Sequence, residues 1–298
     1  TDSLHEGMAD VGVGSLHYRT CGNAGDLPDV LLEHGGGGST QDWSLIEPLL
    51  AAHTRVFSYD RAGSGTSPRD DLGRGAVANT QRLSKLIEQL PIRKRFVLVG
   101  YSLGGLYARH YAALNPDQVA GVVLLDATPT KHVIKKSDFK RAFRTMHVLH
   151  WTARSGLATL YWYLSGKKIE RERFQGYVKK FAAPTFVPNV REELYAISTV
   201  QADVAGVAER LTHPSLAILA GTTPKPSQAA ILAEVRKLHD QLMLDAPAPL
   251  SRQTVVAGAN HSTLVSDAQH AGTVAENILA FLRSLGSSEA TPSVTGHQ

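Results

Sequence analysis

The sequence predicts an α/β protein with a mostly parallel sheet and helices on both of its faces. Short apolar runs rich in β-branched residues alternate with helical patterns of about 10–15 residues, which is the rhythm of strands and crossover helices. One of these runs leads directly into a glycine-flanked serine and then a helical pattern. The chain has 298 residues, of which 43% are hydrophobic, and this length suits one large domain that carries an insertion.

The first half of the chain contains most of the predicted strands. Residues 8–20 alternate between apolar and polar side chains and include two glycines, so they predict an antiparallel hairpin. Continuous apolar runs predict buried strands at 30–33, 56–59 and 96–99. The predicted helices of this half span residues 39–52, with Ser39 or Thr40 as the N-cap, 77–90 and 106–114.

The alternation breaks after another buried strand at 119–125. No strand-like run occurs from about residue 130 to 213, and helical patterns rich in aromatic residues predict a helical insertion there. The later elements are strands at 215–220 and 253–256 and helices at 227–242 and 268–285. The predicted organisation is a core of residues 1–129 and 214–286, a helical cap at 130–213, and a disordered polar tail at 287–298.

Composition and charge disfavour several classes of function. The net charge is +4, and no long basic run marks a nucleic-acid surface. No apolar stretch approaches the roughly 20 residues that span a bilayer, so no membrane span is expected. No signal peptide is visible, so a cytoplasmic location is favoured. The first residue is Thr1 and not Met, so secretion stays open. Cys21 is the only cysteine, which excludes an intrachain disulfide, and the oligomeric state is not indicated.

The segment around Ser102 has the pattern of a nucleophile elbow. A buried strand runs into Gly-Tyr-Ser-Leu-Gly, a G-x-S-x-G pentapeptide at 100–104, and a helical pattern follows at once. Glycines on both sides of the serine suit a strained turn in which neighbouring backbones leave no room for a Cβ atom. The pentapeptide alone is common, so the interpretation of Ser102 as a nucleophile depends on partners elsewhere in the chain.

A serine nucleophile needs a base, and the base needs a group that orients it. In parallel α/β sheets these groups follow the carboxyl ends of the strands. His261 follows the last predicted strand in a short loop and is the expected base. Asp126 ends the strand that comes after the nucleophile strand and is the expected acid, with Asp245 and Asp203 as alternatives.

The glycine run at 34–38 predicts one side of an oxyanion site, because glycines let the backbone approach a substrate oxygen. Gly36 is the first candidate for a backbone N–H donor and Gly37 the second. The other expected donor is the N–H of Leu103, at the start of the helix. His34 is expected to anchor this loop. Neither of the common phosphate-binding glycine patterns is present, so a phosphate site is disfavoured.

Together these motifs resemble the α/β-hydrolase family, in the form that carries a cap after the sixth strand. The matching segments occur in family order over residues 8–285: His34–Gly38 with Trp43 downstream, Asp60-Arg61-x-Gly-x-Gly-x-Ser, Gly-Tyr-Ser-Leu-Gly-Gly, Val-Leu-Leu-Asp126 and Gly-x-x-His261. The resemblance implies an α/β-hydrolase fold with Ser102 as nucleophile and His261 as base. It also implies that the Gly36 and Leu103 amides form the oxyanion site.

One departure from the family pattern concerns the acid. The loop at 221–226, where the family usually places it, contains no carboxylate. Some members carry the acid after the sixth strand instead, and Asp126 is similar to that variant. Family members that open epoxides or carbon–halogen bonds carry Asp at the elbow, so Ser102 argues against that chemistry.

The expected activity is hydrolysis of an ester, lactone or thioester with an apolar body, through an acyl-enzyme on Ser102. No cofactor and no metal are expected. Acyl transfer, amide or carbon–carbon bond hydrolysis, a cofactor-free oxygenase and a hydrolase-like ligand receptor are the alternatives. The candidate substrate-binding residues are aromatic: Trp43, Tyr101, Trp151, Tyr161 and Trp162. Most aromatic residues of the insertion are expected to form its own core.

Overall fold

The computed structural model describes residues 4–131, 136–165, 170–223 and 228–289. Within these residues one eight-stranded sheet forms the centre of the molecule. Its strands are His5–Asp10 (β1), Ser15–Cys21 (β2), Val30–Glu33 (β3), Val56–Tyr59 (β4), Phe96–Tyr101 (β5), Val119–Leu125 (β6), Ser215–Ala220 (β7) and Arg252–Val256 (β8).

The spatial order of the strands is β1-β2-β4-β3-β5-β6-β7-β8. The N-terminal hairpin pairs antiparallel with itself and with β4, and every other neighbouring pair is parallel. The predicted α/β-hydrolase fold is therefore confirmed. Because β3 and β5 to β8 run in one direction, the loops at their carboxyl ends gather along one edge of the sheet. Strand β5 lies in the middle of that edge.

Ten α-helices occur within the described residues. They are Glu47–Ala51 (α1), Ala76–Gln89 (α2), Leu103–Leu114 (α3), Lys136–Arg154 (α4), Leu157–Ser165 (α5), Arg171–Ala182 (α6), Phe186–Val207 (α7), Ala229–Leu244 (α8), Thr263–Ser266 (α9) and Ala268–Glu289 (α10). Alternate side chains of β5 enter two different cores, as a strand with both faces covered requires. Val97 and Val99 pack in the cluster that contains α10, whereas Phe96 and Leu98 pack in the cluster that contains α2 and α3.

The helix predicted at 39–52 and the tail predicted at 287–298 differ from the structure. The helix expected over 39–52 is a 3₁₀ turn at Thr40–Trp43, capped by Ser39, followed by the separate helix α1. Pro48 lacks the N–H that a continuous helix would donate to residue 44, so the hydrogen-bond ladder is interrupted there. Helix α10 continues to Glu289, which makes residues 287–289 of the expected tail helical. Residues 290–298 lie outside the described residues.

Helices α4 to α7 lie between β6 and β7, and the described residues of 130–213 contain no strand. Helix α7 packs directly on α3, where Ile197, Val200 and Val204 share a buried cluster with Leu106 and Tyr107. The division of the chain into a core and a separate cap stays a prediction. Among the described residues, no helix combines the length and the apolar character that a bilayer crossing requires.

Candidate active site

Ser102 occupies a strained position between β5 and α3. Its φ is 54° and its ψ is −119°, which is an unfavourable backbone region for a residue with a side chain. Two hydrogen bonds hold it there. The Ser102 N–H donates to the Leu125 carbonyl at 3.0 Å, and the Thr128 N–H donates to the Ser102 carbonyl at 2.9 Å. The end of β6 and the loop after it therefore keep the serine at the sheet edge.

The glycines beside Ser102 are needed because the chain is crowded. A Cβ atom at Gly100 would lie 2.5 Å from the Gly104 carbonyl oxygen and 2.6 Å from the Gly105 Cα. A Cβ atom at Gly104 would collide with the carbonyl oxygens at the end of β3. The turn can form only where both positions lack a side chain.

His261 reaches Ser102 from the loop between β8 and α9. Its Nε2 lies 3.1 Å from the Ser102 Oγ, and its Nδ1 lies 2.6 Å from the Asp126 Oδ2. The Tyr101 ring stacks on the imidazole, with 4.9 Å between ring centroids and 26° between planes. The Tyr101 hydroxyl also donates to the His261 backbone carbonyl at 2.9 Å. Tyr101 therefore fixes both the ring and the backbone of His261.

Asp126 follows β6 and is positioned by the neighbouring strand β7. The Asp126 N–H donates to the Ile218 carbonyl at 2.7 Å, and its Oδ1 accepts the Ala220 N–H at 3.0 Å. Burial raises the pKa of the Asp126 carboxyl, but the hydrogen bond and charge of His261 and the Ala220 amide outweigh it and lower the pKa below its usual value. An ionised carboxylate can only accept, so the His261 Nδ1 carries the proton and Nε2 presents its lone pair to Ser102.

The two alternative acids lie in other contacts. Asp203, on α7, accepts the Ala76 N–H at 3.0 Å and thereby caps α2. Asp245 lies at the end of α8, and its Oδ2 is 3.9 Å from the Arg210 Nε. Neither carboxylate is a hydrogen-bond partner of His261 in the described residues, whereas Asp126 is.

The three candidate oxyanion donors differ in the contacts that they make. The Gly37 N–H donates to the Glu193 Oε2 at 2.6 Å, so in this structure it is already used by a protein acceptor. Gly36 is exposed and lies against Leu103, since a Cβ atom on Gly36 would be 3.5 Å from the Leu103 Cδ2. Leu103 is the first residue of α3, where an N–H has no acceptor within the helix. Gly36 and Leu103 remain the candidates.

His34 is fully buried beneath this loop. Its Nδ1 donates to the Gly35 carbonyl at 2.8 Å, and its Nε2 accepts the Arg61 N–H at 3.2 Å. Burial, together with the positive charge of Arg61, lowers the pKa of His34 well below its usual value, so the ring is neutral. These two hydrogen bonds join the loop at 34–38 to Arg61, which is the anchoring role predicted for His34.

A cavity of about 540 Å³ opens beside Ser102, Asp126 and His261. Its apolar walls come from α4, α8 and the loop after β6: Ala127, Pro129, Ala142, Met146, Ile231, Leu232 and Val235. Sequence reasoning missed the contribution of α8. The available signal was the position of α8, because it follows β7 and so begins at the same edge of the sheet as Ser102.

The structure does not place the aromatic candidates in the walls of this cavity. Trp43 is fully buried and meets Tyr101 edge to face at 6.3 Å, so it supports the site from within the core. Trp151 and Tyr161 are 62% and 63% exposed and face solvent. Trp151 lies roughly 140° around α4 from Met146, at about 100° per residue, which turns it away from the cavity. The side chain of Trp162 lies outside the described residues.

Among the described residues, no group of three or more His, Cys, Asp or Glu side chains could hold a metal ion. The groups gathered at the sheet edge are a hydroxyl, an imidazole, a carboxylate and backbone amides. The 3.1 Å between the Ser102 Oγ and the His261 Nε2 allows proton transfer from the hydroxyl to the imidazole.

Known proteins resemble this chain over most of its length. Residues 30–276 match the alpha/beta hydrolase family. The pimeloyl-[acyl-carrier protein] methyl ester esterase of Edwardsiella ictaluri is 25% identical over 267 residues, which cover 85% of this chain and 93% of that protein. An esterase of Mycobacterium tuberculosis is 37% identical over 107 residues, or 36% of this chain and 35% of that protein. Epoxide hydrolase A from Mycobacterium thermoresistibile has a TM-score of 0.70 at 19% identity, covering 94% of this chain and 98% of that chain.

The relatives with 34–37% identity match over less than half of their own length, so those similarities are local. The epoxide hydrolase, at 19% identity, shows a shared fold and no more. The family match covers the sheet from β3 onward together with the loops that carry Ser102, Asp126 and His261. This chain therefore belongs to the alpha/beta hydrolase family, and its relatives include esterases.

Proposed function

We propose that this protein is a serine hydrolase that cleaves carboxylic esters through an acyl-enzyme on Ser102. The observation that carries the proposal is the hydrogen-bonded series Asp126–His261–Ser102, which ends at a cavity with mostly apolar walls. Lactones and thioesters react in the same way and belong to the same proposed substrate class. The esterase relatives support ester hydrolysis.

The proposed reaction has two halves. His261 Nε2 takes the hydroxyl proton while the Ser102 Oγ attacks the substrate carbonyl, and the Gly36 and Leu103 N–H groups stabilise the oxyanion. The protonated imidazole, held by Asp126, then gives its proton to the departing alkoxide, which leaves the acyl group on Ser102. Water, deprotonated by His261, attacks this acyl-enzyme and releases the carboxylic acid and the free serine.

The serine also bears on the choice between ester and epoxide substrates. A carboxylate that opens an epoxide forms an ester, which water can hydrolyse in a second step. A serine hydroxyl would form an ether instead, and the active site could not be regenerated by hydrolysis. Ser102 therefore favours acyl chemistry, even though the fold resembles that of an epoxide hydrolase.

The cavity supports a substrate of small to medium size. Its volume of about 540 Å³ lies within the usual range of pockets for small ligands. Met146 on α4 and Ile231, Leu232 and Val235 on α8 would contact an apolar body bound next to Ser102. Simple esters with acyl chains of graded length are therefore the appropriate first substrates.

The test is the hydrolysis of a series of p-nitrophenyl acyl esters by the wild-type protein and by Ser102→Ala. We expect steady-state release of p-nitrophenol that is lost in the variant, and labelling of a single serine, Ser102, by a fluorophosphonate. A single stoichiometric burst without turnover would reject the hydrolase in favour of a ligand receptor. Labelling at a different serine would reject Ser102 as the nucleophile.

A further inference from the structure

We propose that Glu193, on α7, positions the oxyanion loop. In this role Glu193 holds the backbone on both sides of Gly36, so that the Gly36 N–H points at the substrate oxygen. The inference rests on the proposed function, since it assigns a task in that reaction. Glu193 does not line the cavity beside Ser102, so it acts through the loop and does not contact the reacting atoms.

Both carboxylate oxygens of Glu193 are in use. Oε2 accepts the Gly37 N–H at 2.6 Å, and Oε1 accepts Arg61 Nε at 3.0 Å and Nη2 at 2.8 Å. Glu193 has no exposed surface, and Arg61 is 2% exposed. A buried carboxylate is unfavourable unless it is paired and hydrogen-bonded. Here the Arg61 guanidinium and the Gly37 N–H satisfy the Glu193 carboxylate, so its burial is compensated.

The peptide units around Gly36 explain what this contact controls. The Gly35 carbonyl and the Gly36 N–H belong to one planar trans peptide and point in opposite directions. Arg61 Nη2 and His34 Nδ1 each donate to the Gly35 carbonyl at 2.8 Å, so Arg61 helps to set the direction of the Gly36 N–H. Glu193 fixes the Arg61 guanidinium and also holds the next peptide through the Gly37 N–H. Both peptides that flank Gly36 thus depend on Glu193.

The loop is a tight turn, so its peptides can rotate if they are not held. The Gly38 N–H donates to the Gly35 carbonyl at 3.0 Å, and Gly37 has a φ of 64°, which glycine tolerates well. Glycines give the loop little stiffness of its own. The hydrogen bonds from Arg61 and His34 and the one to Glu193 supply the preorganisation on which an oxyanion site depends.

Arg61 is the cation that pairs with the two carboxylates behind the loop. Its guanidinium pairs with Glu193 at 2.8 Å and with Glu33 on β3. An unpaired carboxylate behind Gly36 would oppose the negative charge that develops on the substrate oxygen. The Glu193 carboxylate forms an ion pair with Arg61. It can therefore accept the Gly37 N–H without placing an unpaired negative charge behind the loop.

Helix α7 has other links to the rest of the molecule, which allows the role of Glu193 to be isolated. Asn189 Nδ2 donates to the Ser64 Oγ at 2.8 Å, and Asp203 accepts the Ala76 N–H at 3.0 Å. Apolar side chains of α7, among them Ile197 and Val200, pack against α3. A substitution at Glu193 should therefore leave α7 in place.

The experiment compares Glu193→Gln with the matched control Asp203→Asn. Glutamine keeps the size of the side chain but offers one acceptor oxygen, so it cannot serve both Arg61 and Gly37. We expect kcat for a p-nitrophenyl ester to fall about 10- to 100-fold with KM within about twofold, since complete loss of one oxyanion donor costs about 10²- to 10³-fold. The affinity for a trifluoromethyl ketone, which forms a tetrahedral oxyanion on the serine, should fall in parallel. Asp203→Asn should change all three values less than twofold.

Two outcomes overturn the inference alone: a folded Glu193→Gln protein with wild-type kcat, or an equal loss of kcat in Asp203→Asn. If Glu193→Gln does not fold, Glu193→Asp provides the same comparison, because it keeps the charge but is too short to reach both partners. A wild-type protein that hydrolyses no ester and forms no ketone adduct overturns the proposed function itself. The two failures are therefore distinguishable.

Discussion

At the scale of single residues, two of the three non-glycine residues with a positive φ in the described part of the chain belong to the candidate site, and the third is Arg95. Ser102 has a φ of 54° and Asp126 a φ of 42°, and each is held by hydrogen bonds to a neighbouring strand. Such conformations cost about 1–3 kcal/mol each and persist only where the surroundings determine them. Here the surroundings are the ends of β6 and β7, which place the hydroxyl and the carboxylate on either side of His261.

The role of Asp126 can be tested with Asp126→Asn. The amide would no longer stabilise the imidazolium and would favour the wrong tautomer of His261, so kcat for ester hydrolysis should fall about 10⁴-fold, as in the serine-protease template. Steady-state kinetics of the folded variant provide the measurement, and Asp203→Asn is the control for removing a carboxylate that does not contact His261. A loss smaller than tenfold would mean that another group orients His261.

At the scale of elements, the loops that follow parallel strands assemble the site. Strands β3, β5, β6 and β8 each end in a loop that carries one part of it: the glycine run, Ser102, Asp126 and His261. The sequence pattern predicted each strand because short runs of β-branched and apolar residues between turn residues are a local signal. The pattern also predicted one helix over 39–52, and that prediction was wrong because Pro48 interrupts the hydrogen-bond ladder.

The crowding around Ser102 predicts that alanine lowers the stability of the protein at Gly100 but not at a glycine in open space. In Gly100→Ala the new Cβ would lie 2.5 Å from the Gly104 carbonyl oxygen, so β5 and α3 must separate and the protein should lose several kcal/mol of stability, as overpacked cores do. A Cβ atom added at Gly272, inside α10, would meet no neighbouring atom within 4 Å, so Gly272→Ala should stabilise by up to about 1 kcal/mol. Urea denaturation measures both. Equal stability of the two variants would contradict the crowding at the elbow.

At the scale of the whole molecule, buried polar contacts join the loops at the sheet edge to one another and to the helices above them. Asp60 connects β2 to two of the loops: its carboxylate lies 2.9 Å from His17 Nδ1 and accepts the Thr40 N–H at 2.7 Å and the Thr66 N–H at 3.0 Å. Burial raises the pKa of the Asp60 carboxyl, but these hydrogen bonds outweigh it and lower the pKa to about 2.

This shift predicts how stability depends on pH. The pKa of Asp60 is lower in the folded state, about 2 against 3.8, so its contribution is present above about pH 4 and is lost as the pH falls through 2. The contribution is about 2 kcal/mol at 1.36 kcal/mol per pKa unit. Denaturant unfolding of the wild-type protein between pH 5 and pH 2 should show this loss, and Asp60→Asn should show a smaller one. The same pH slope in both proteins would refute this role for Asp60.

The sequence is enough to predict the fold and to indicate Ser102, Asp126 and His261, because each follows a recognisable strand and parallel strands bring such positions to one edge. The three-dimensional packing was needed to find that Glu193 accepts the Gly37 N–H, that Tyr101 stacks on His261, and that α8 lines the cavity while Trp43 is buried. The difference lies in how far apart along the chain the interacting residues are. Strands and turns follow from neighbouring residues, whereas a contact between residues 37 and 193 depends on how distant helices pack.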